Sequence, residues 1–530
     1  MRLSFLVFLL LLAGQAPDAS ARACNAGVVF EDSDGDGRRD RGEPALAGVQ
    51  VSDGRRIVRT DAQGRWSLPL SPDHTVFVIK PASHDFPKGA DGLPQFWRHV
   101  VRERQPALRF GGLKRQTPRC HDFALLPRDT PSAEPLKVLV FGDPQPKTAV
   151  DVDYYARDIV APIVAAANGA PAADLGLTLG DVVSDDLSLY PAMTRHTASL
   201  RTPWLHVAGN HDLDFDAAGD ERSLDTFRRH FGPDTFAWEE TQASFIVLDD
   251  VIYQPGAAKP YIGGLREDQF TFLAAYLAEL PRDRRLVLAA HIPFFDEAGR
   301  ETFRRADRER LFELLKPFTN VLLLTAHGHV QRHHRHGPAD GWFGAAPLHE
   351  YNVGAACGGY WSGVKDAGGI PDSRMSDGTP NGYASARFSA DGSYELRWHV
   401  ARGGDAGMHL HAPRVLRAGA YPGAGVYANV YMGEADSRVE YRINGGDWQP
   451  MRLSEQPDPV LRTQNLLDDA APALRGYDRL PEAGKTTHLW RGTLPTDLAP
   501  GDHQVEVRAF DRWRGEIRAS TSYRLEDASP

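Results

Sequence analysis

Trp204-Leu205-His206-Val207-Ala208 runs directly into Gly209-Asn210-His211-Asp212, and the reading of this stretch decides the fold. An apolar run of this length is a buried strand. It stops at a glycine and then presents an amide, an imidazole and a carboxylate in consecutive positions. Asn210 offers a metal one neutral oxygen, and His211 beside it is a residue type that passes protons. Gly209 fits a place where the backbone turns sharply and a side chain would be in the way. Taken alone, Asn-His-Asp is equally the composition of an ordinary surface turn.

The same event recurs along the chain. Leu136 to Phe141 ends in Gly142-Asp143-Pro144-Gln145, and Leu175 to Leu179 ends in Gly180-Asp181. Arg285 to Ala290 ends in His291-Ile292-Pro293, and Val321 to Thr325 ends in Ala326-His327-Gly328-His329. Each is a short β-type run with metal-binding residue types where the strand gives out. Ligands of open α/β sheets gather outside the carboxyl ends of the strands, so these tips are expected to converge. Two Asp, one Asn, one Gln and three His are mixed oxygen and nitrogen donors enough for two divalent cations. Between the tips, helical patterns over 151–167, 223–230, 266–279 and 304–315 alternate with strands, which argues for α/β layering.

This order of motifs resembles the calcineurin-like metallophosphoesterase superfamily, whose pattern is D-x-H, G-D, G-N-H-D, a lone His and G-H-x-H. The likeness covers roughly 136–400. Gln145 stands where the pattern has His, which is expected to loosen one metal site, and Ala326 replaces a Gly. His230-Phe231-Gly232-Pro233 and Gly358-Gly359-Tyr360-Trp361-Ser362-Gly363 are similar to a secreted branch in which β-modules flank the core on both sides. The resemblance implies a four-layer αββα core over 135–402, with β-sandwiches over 22–127 and 405–526. It implies two divalent transition ions (manganese, iron or zinc), one held by Asp143, Gln145, Asp181 and His329, the other by Asp181, Asn210, His291 and His327. It implies phosphoester hydrolysis, with His211 as the metal-free acid and Asp212 available to orient it. Monoesterase and diesterase remain equally open, and a catalytically weak surface-binding protein is the rival from another class.

Residues 1–21 read as an export leader: Arg2, an apolar stretch from Leu3 to Ala13, and the small-residue site Ala19-Ser20-Ala21. A periplasmic or extracellular destination follows. The apolar stretch is too short to span a bilayer. In such a compartment Cys24 and Cys120 are expected to pair, with Cys357 free and buried, against the alternative that all three cysteines are unpaired. A net charge of −10 argues against a nucleic-acid polymer as partner, but not against a small phosphorylated substrate.

In the first module, short strands are separated by Gly, Asp and Pro turns. Asp32, Asp34, Asp36, Arg38, Asp40 and Glu43 take loop positions one, three, five, seven, nine and twelve of an EF-hand calcium loop, with Gly37 at six. Strands, not helices, flank it, so a structural calcium is expected. Tyr360 and Trp361 either line a pocket wall beside the metals or pack under their loop. His333, His334 and His336 read as a solvated strand extension. From about Gly404 the pattern is all-β, with Asn444-Gly445 as a hairpin turn and a long insertion from Arg452 to Lys485 able to reach the core.

Overall fold

A computed structural model describes residues 25–71, 73–101, 105–115, 121–128, 134–296, 300–421 and 423–527. The leader, Cys24 and Cys120 lie outside the described residues. The centre of the molecule is a pair of mixed sheets. The first has strand order Trp204–Val207, Leu175–Leu179, Leu136–Phe141, Gly382–Phe388, Tyr394–Val400. Its first three strands run parallel, and the last two form an antiparallel hairpin along its edge. The second has order Phe236–Glu239, Ser244–Val247, Leu286–Ala289, Val321–Thr325, Leu348–Asn352, Arg332–His336, with a parallel run from Ser244–Val247 to Leu348–Asn352. Leu175–Leu179 and Leu286–Ala289 are buried along their whole length, as strands covered on both faces must be.

Helices cover the outer faces and complete the helix–sheet–sheet–helix order. Residues 149–167 form one helical run, opened by a Thr148–Asp151 capping box and widened to π geometry over Tyr155–Val160. Tyr155 sets its ring edge-on against Phe141 of the first sheet. On the other side, Arg305–Leu315 brings Phe312 against His336 of the second sheet.

The amino-terminal module is a sandwich of two four-stranded sheets, and its apolar side chains belong to the same buried cluster as the central sheets. The join is partly ionic. Lys80, with no exposed surface, pairs with Glu240 at 3.1 Å across the boundary, and Arg128 pairs with the same carboxylate. The backbone also bridges there, between Lys80 and Trp238.

The carboxy-terminal module is a second sandwich, of four and five strands, with its own apolar core around Trp490 and Tyr523. Asn444 and Gly445 turn its hairpin at φ of 50° and 73°. The insertion holds a helix, Pro459–Asp469, that the all-β pattern did not announce; Asp458 caps it by accepting from Val460 N and Leu461 N. The insertion does reach the core: Gly363 N donates to Asp478 O at 2.8 Å.

The run Arg332–His336 departs from the solvated reading. His336 is fully buried and His333 stacks on Tyr351, because this edge strand lies between Phe312 on one side and Trp513 of the carboxy-terminal module on the other. Among the described residues, no helix is long and apolar enough to cross a membrane.

Glu240→Ala strands the buried Lys80 ammonium with only Asp85 at 3.7 Å for a counter-charge. Losing one partner of a buried pair costs about 3–5 kcal/mol. Urea unfolding followed by tryptophan fluorescence should show an earlier transition, and Lys80→Met added to Glu240→Leu should restore much of the loss.

Candidate metal centre

The strand tips meet. At three of the five the chain leaves the sheet through left-handed backbone: Asp143 at φ 38°, Gln145 at 40°, Asp181 at 49°, His327 at 65° and His329 at 47°, whereas Asn210 and His291 are not among the left-handed residues. Few non-glycine residues adopt this region, and each costs on the order of 1–3 kcal/mol unless its surroundings hold it. Here five side chains of one site share the strain, and the turn aims each across the sheet edge. Ala326 is not among the left-handed residues, which explains why a methyl is accepted there. Gly209 is required for space and not for its φ: a Cβ on it would lie 2.2 Å from Asp181 Oδ1.

One group of donors is tight. His291 Nε2 lies 3.4 Å from Asp181 Oδ1, 3.1 Å from Asn210 Oδ1 and 3.1 Å from His327 Nδ1. Asp181, His291 and His327 each offer a ligand atom within 4.8 Å of the others. His291 is oriented from behind, its Nδ1 donating to Leu179 O at 2.8 Å, so Nε2 faces the group. The second group is looser. His329 Nε2 lies 3.5 Å from Asp143 Oδ1, and its Nδ1 donates to Gly358 O. Gln145 Nε2 donates to Asp181 Oδ2 at 3.3 Å, which places the amide between the two groups. With the amide turned over, Oε1 would take that position.

The charges point the same way. Burial alone would keep His291 and His329 neutral, yet both are pushed up, His291 to about 10 by Asp181, and His329 by Cys357 and Asp143. Burial would likewise raise Asp181, but the surrounding imidazoles hold it far below the usual carboxylate range. His327 goes the other way, lowered to about 4 by burial and by His291. The pocket therefore draws cations, and Asp143 Oδ1 is buried with no hydrogen-bond partner among the described residues. These donors fit two divalent ions, which would displace the protons.

His211 stands at the rim. Its backbone N–H donates to Asp181 Oδ1 at 2.8 Å, and its Nδ1 lies 2.7 Å from Asp185 Oδ1. The orienting carboxylate is thus Asp185 and not Asp212. Asp212 is fully buried and accepts from Gly209 N, Val182 N and Tyr190 OH, so it fixes the loop backbone instead of touching the imidazole. Burial pushes it up to about 7. Burial opposes the charge on His211, but the bond to Asp185 and the nearby Asp181 outweigh it, and the net shift is upward.

Tyr360 is exposed and lies over His329, ring centroids 4.6 Å apart, with Lys147 Nζ 5.3 Å from its centroid. Trp361 does not join it on the wall. Its indole is buried beneath the loop and donates to Pro144 O at 2.8 Å, which ties the loop to the first strand tip. Sequence reasoning missed Asp185, whose only signal was its place in the same tip loop as Asp181. It also missed the surroundings of Cys357, a free and buried thiol 3.9 Å from Gln145 Oε1 and 3.8 Å from His329 Nδ1.

In the amino-terminal module Asp32, Asp34 and Asp36 bring their carboxylates within 4.8 Å of one another. Asp32 also accepts from Gly35 N and Gly37 N, and Glu43 folds back to accept from Ser33 N and Asp40 N. Arg38 and Asp40 are exposed on the same loop.

Three family profiles match the chain in sequence. They are the N terminal of calcineurin-like phosphoesterase over 33–115, calcineurin-like phosphoesterase over 136–352, and the C terminal of calcineurin-like phosphoesterase over 350–516. No curated protein matches. Among solved structures, the purple acid phosphatase PPD1 isolated from yellow lupin (Lupinus luteus) seeds aligns at 13% identity over 67% of each chain, with a TM-score of 0.37. That likeness is too low to carry an inference about this chain.

Gly209→Ala should push Asp181 off its position through the 2.2 Å contact. A displacement near 1 Å at a reacting centre costs about 10²-fold. The variant should therefore retain less metal on gel filtration and lose about 10²-fold in kcat, while its far-ultraviolet circular dichroism stays that of the parent.

Proposed function

Because the chain belongs to the calcineurin-like phosphoesterase family, we propose that it is an exported, dinuclear phosphoester hydrolase acting on small phosphorylated substrates. The observation that carries this reading is the convergence of Asp143, Gln145, Asp181, Asn210, His291, His327 and His329 from successive strand tips. In this reading Asp143, Gln145, Asp181 and His329 would hold one ion and Asp181, Asn210, His291 and His327 the other, the ions being manganese, iron or zinc. When bound, the pair supplies Lewis-acid polarisation of a phosphoryl group and a nucleophile at neutral pH. Asp181 would serve both ions, since a carboxylate has two oxygens to share. Tyr360 and Lys147 form the wall against which the phosphoryl group is seated. His211 keeps Nδ1 engaged with Asp185, so the proton it gives to the departing oxygen sits on Nε2. Export rests on the leader sequence alone.

General acid help of this kind is worth about 10²–10⁴-fold and matters most for poor leaving groups. His211→Ala should lose most activity on an alkyl phosphate ester and much less on a nitrophenyl ester, with both metals retained. Asp185→Asn should show the same dependence on leaving group to a smaller degree. Equal losses on both esters at full metal content would remove His211 from this role.

The amino-terminal loop we assign to calcium, with a structural role. Asp32, Asp34 and Asp36 bring their carboxylates within 4.8 Å of one another, with Glu43 folded back on the same loop, and uncompensated carboxylates at that spacing repel. In the full chain, calcium should raise the midpoint of the first thermal transition, a chelator should lower it, and Asp36→Ala should make the protein indifferent to both.

A further inference from the structure

A second cluster of metal-ligand residue types lies outside the phosphoesterase centre, on the edge strand Arg332–His336 and the turn that follows it. His334, His336 and Asp340 each place a ligand atom within 4.8 Å of the others. His334 Nε2 is 3.3 Å from Asp340 Oδ2, and His336 Nδ1 is 3.8 Å from the same oxygen.

The state of His336 is what points to a ligand. Its ring is fully buried, and Nε2 lies 2.6 Å from Glu350 Oε2, an acceptor, so Nε2 carries the proton. In the neutral ring, Nδ1 is then a bare lone pair. It has no hydrogen-bond partner among the described residues, and it faces the Asp340 carboxylate, which is also an acceptor. Asp340 Oδ2 accepts from Gly337 N at 3.1 Å, but the buried His336 Nδ1 is left with its lone pair turned toward a carboxylate, an arrangement that positive charge between them relieves. A proton shared across 3.8 Å is too far for a hydrogen bond. Arg332, on the same strand, does not supply the charge, because its guanidinium lies over the Phe295 ring at 4.1 Å. Among the described residues Asp340 forms ion pairs with His334 and His336 only.

A tetrahedral ion with bonds of about 2.0–2.1 Å separates its ligand atoms by roughly 3.3 Å, close to the spacing here. Two imidazoles and one carboxylate are the donor set of zinc, and a carboxylate behind a liganding histidine, as Glu350 stands behind His336, is the usual support of such a site. His334 and Asp340 keep 21% and 25% of their side-chain surface exposed, which leaves the fourth position to water.

We propose that His334, His336 and Asp340 bind a zinc-class divalent ion, separate from the two hydrolytic ions, that braces the strand tips of the phosphoesterase centre. The brace runs through Glu350, whose other oxygen accepts from Thr325 Oγ1 at 2.7 Å and from Phe294 N at 3.1 Å. Thr325 ends the strand that delivers His327, and Phe294 lies on the segment that delivers His291. Holding Glu350 in place therefore holds both histidine-bearing tips.

The test is a count of zinc retained by the full-length chain after stripping with chelator, titration with zinc alone in calcium-containing buffer, and gel filtration. It compares the parent, His334→Ala, Asp340→Asn, and Asp181→Asn with His291→Ala, which disables the hydrolytic pair. His336 is left intact because its burial makes any change there a test of folding. The disabled variant should still retain about one zinc per chain, and that zinc should raise its melting temperature by several degrees. Adding His334→Ala or Asp340→Asn should abolish both effects, and either change in the parent should lower the count by one. A disabled variant that retains no zinc, or zinc that persists through both changes, overturns the proposal. The parent's own activity on phosphate esters judges the hydrolase reading separately.

Discussion

Two aspartates with almost no exposed surface, Asp143 and Asp181, set the terms for what surrounds them. An ionised carboxylate out of water is tolerated only beside compensating charge or donors. The chain answers with three imidazoles, two amides and backbone N–H groups delivered from separate strand ends, so the sheets must bring those ends to one point. Left-handed turns at Asp143, Gln145, Asp181, His327 and His329 are how three of those ends do so. Their strain is held by the parallel strands behind them, whose buried apolar runs leave the tips little freedom.

Around this point lies a layer of groups that fix the backbone carrying the ligand residue types. Asp212 ties Gly209 and Val182 into one loop, Asp250 accepts from the backbone of His291 and Ile292, and Glu350 joins two strand tips. The flanking modules extend the same work. Asp478 of the carboxy-terminal insertion holds the loop that carries Tyr360, and His488 of that module pairs at 3.1 Å with Asp377, which also caps Gln331 N. The amino-terminal module is joined to the central sheets by a shared apolar core and by the buried Lys80–Glu240 pair, so it is a layer of the same body and not a bead on a linker.

Gly-Asn-His-Asp and the tips that repeat its logic were legible because a strand end followed by a ligand residue is a local event, visible in a window of ten residues. The hairpin at Asn444-Gly445 was legible for the same reason. The role of Asp212 was misread because adjacency in sequence suggested contact with His211, whereas consecutive side chains leaving a strand point apart. Asp185, four positions beyond Asp181, takes the place instead. The histidines of Arg332–His336 looked solvated because their alternation carries no sign of what packs on either side.

The sequence by itself determined the ligand-bearing strands of the central sheets, the residue types at each of their ends, and membership of the family, since these depend on local periodicity and motif spacing. Only the tertiary structure decided which carboxylate holds His211, that Trp361 lies beneath its loop while Tyr360 stands above the site, and that His336 Nδ1 faces Asp340 with no hydrogen-bond partner among the described residues. Each of those facts is a distance between residues far apart in the chain or facing across a turn. Such distances follow from the packing of sheets and modules against one another, and no local pattern encodes them.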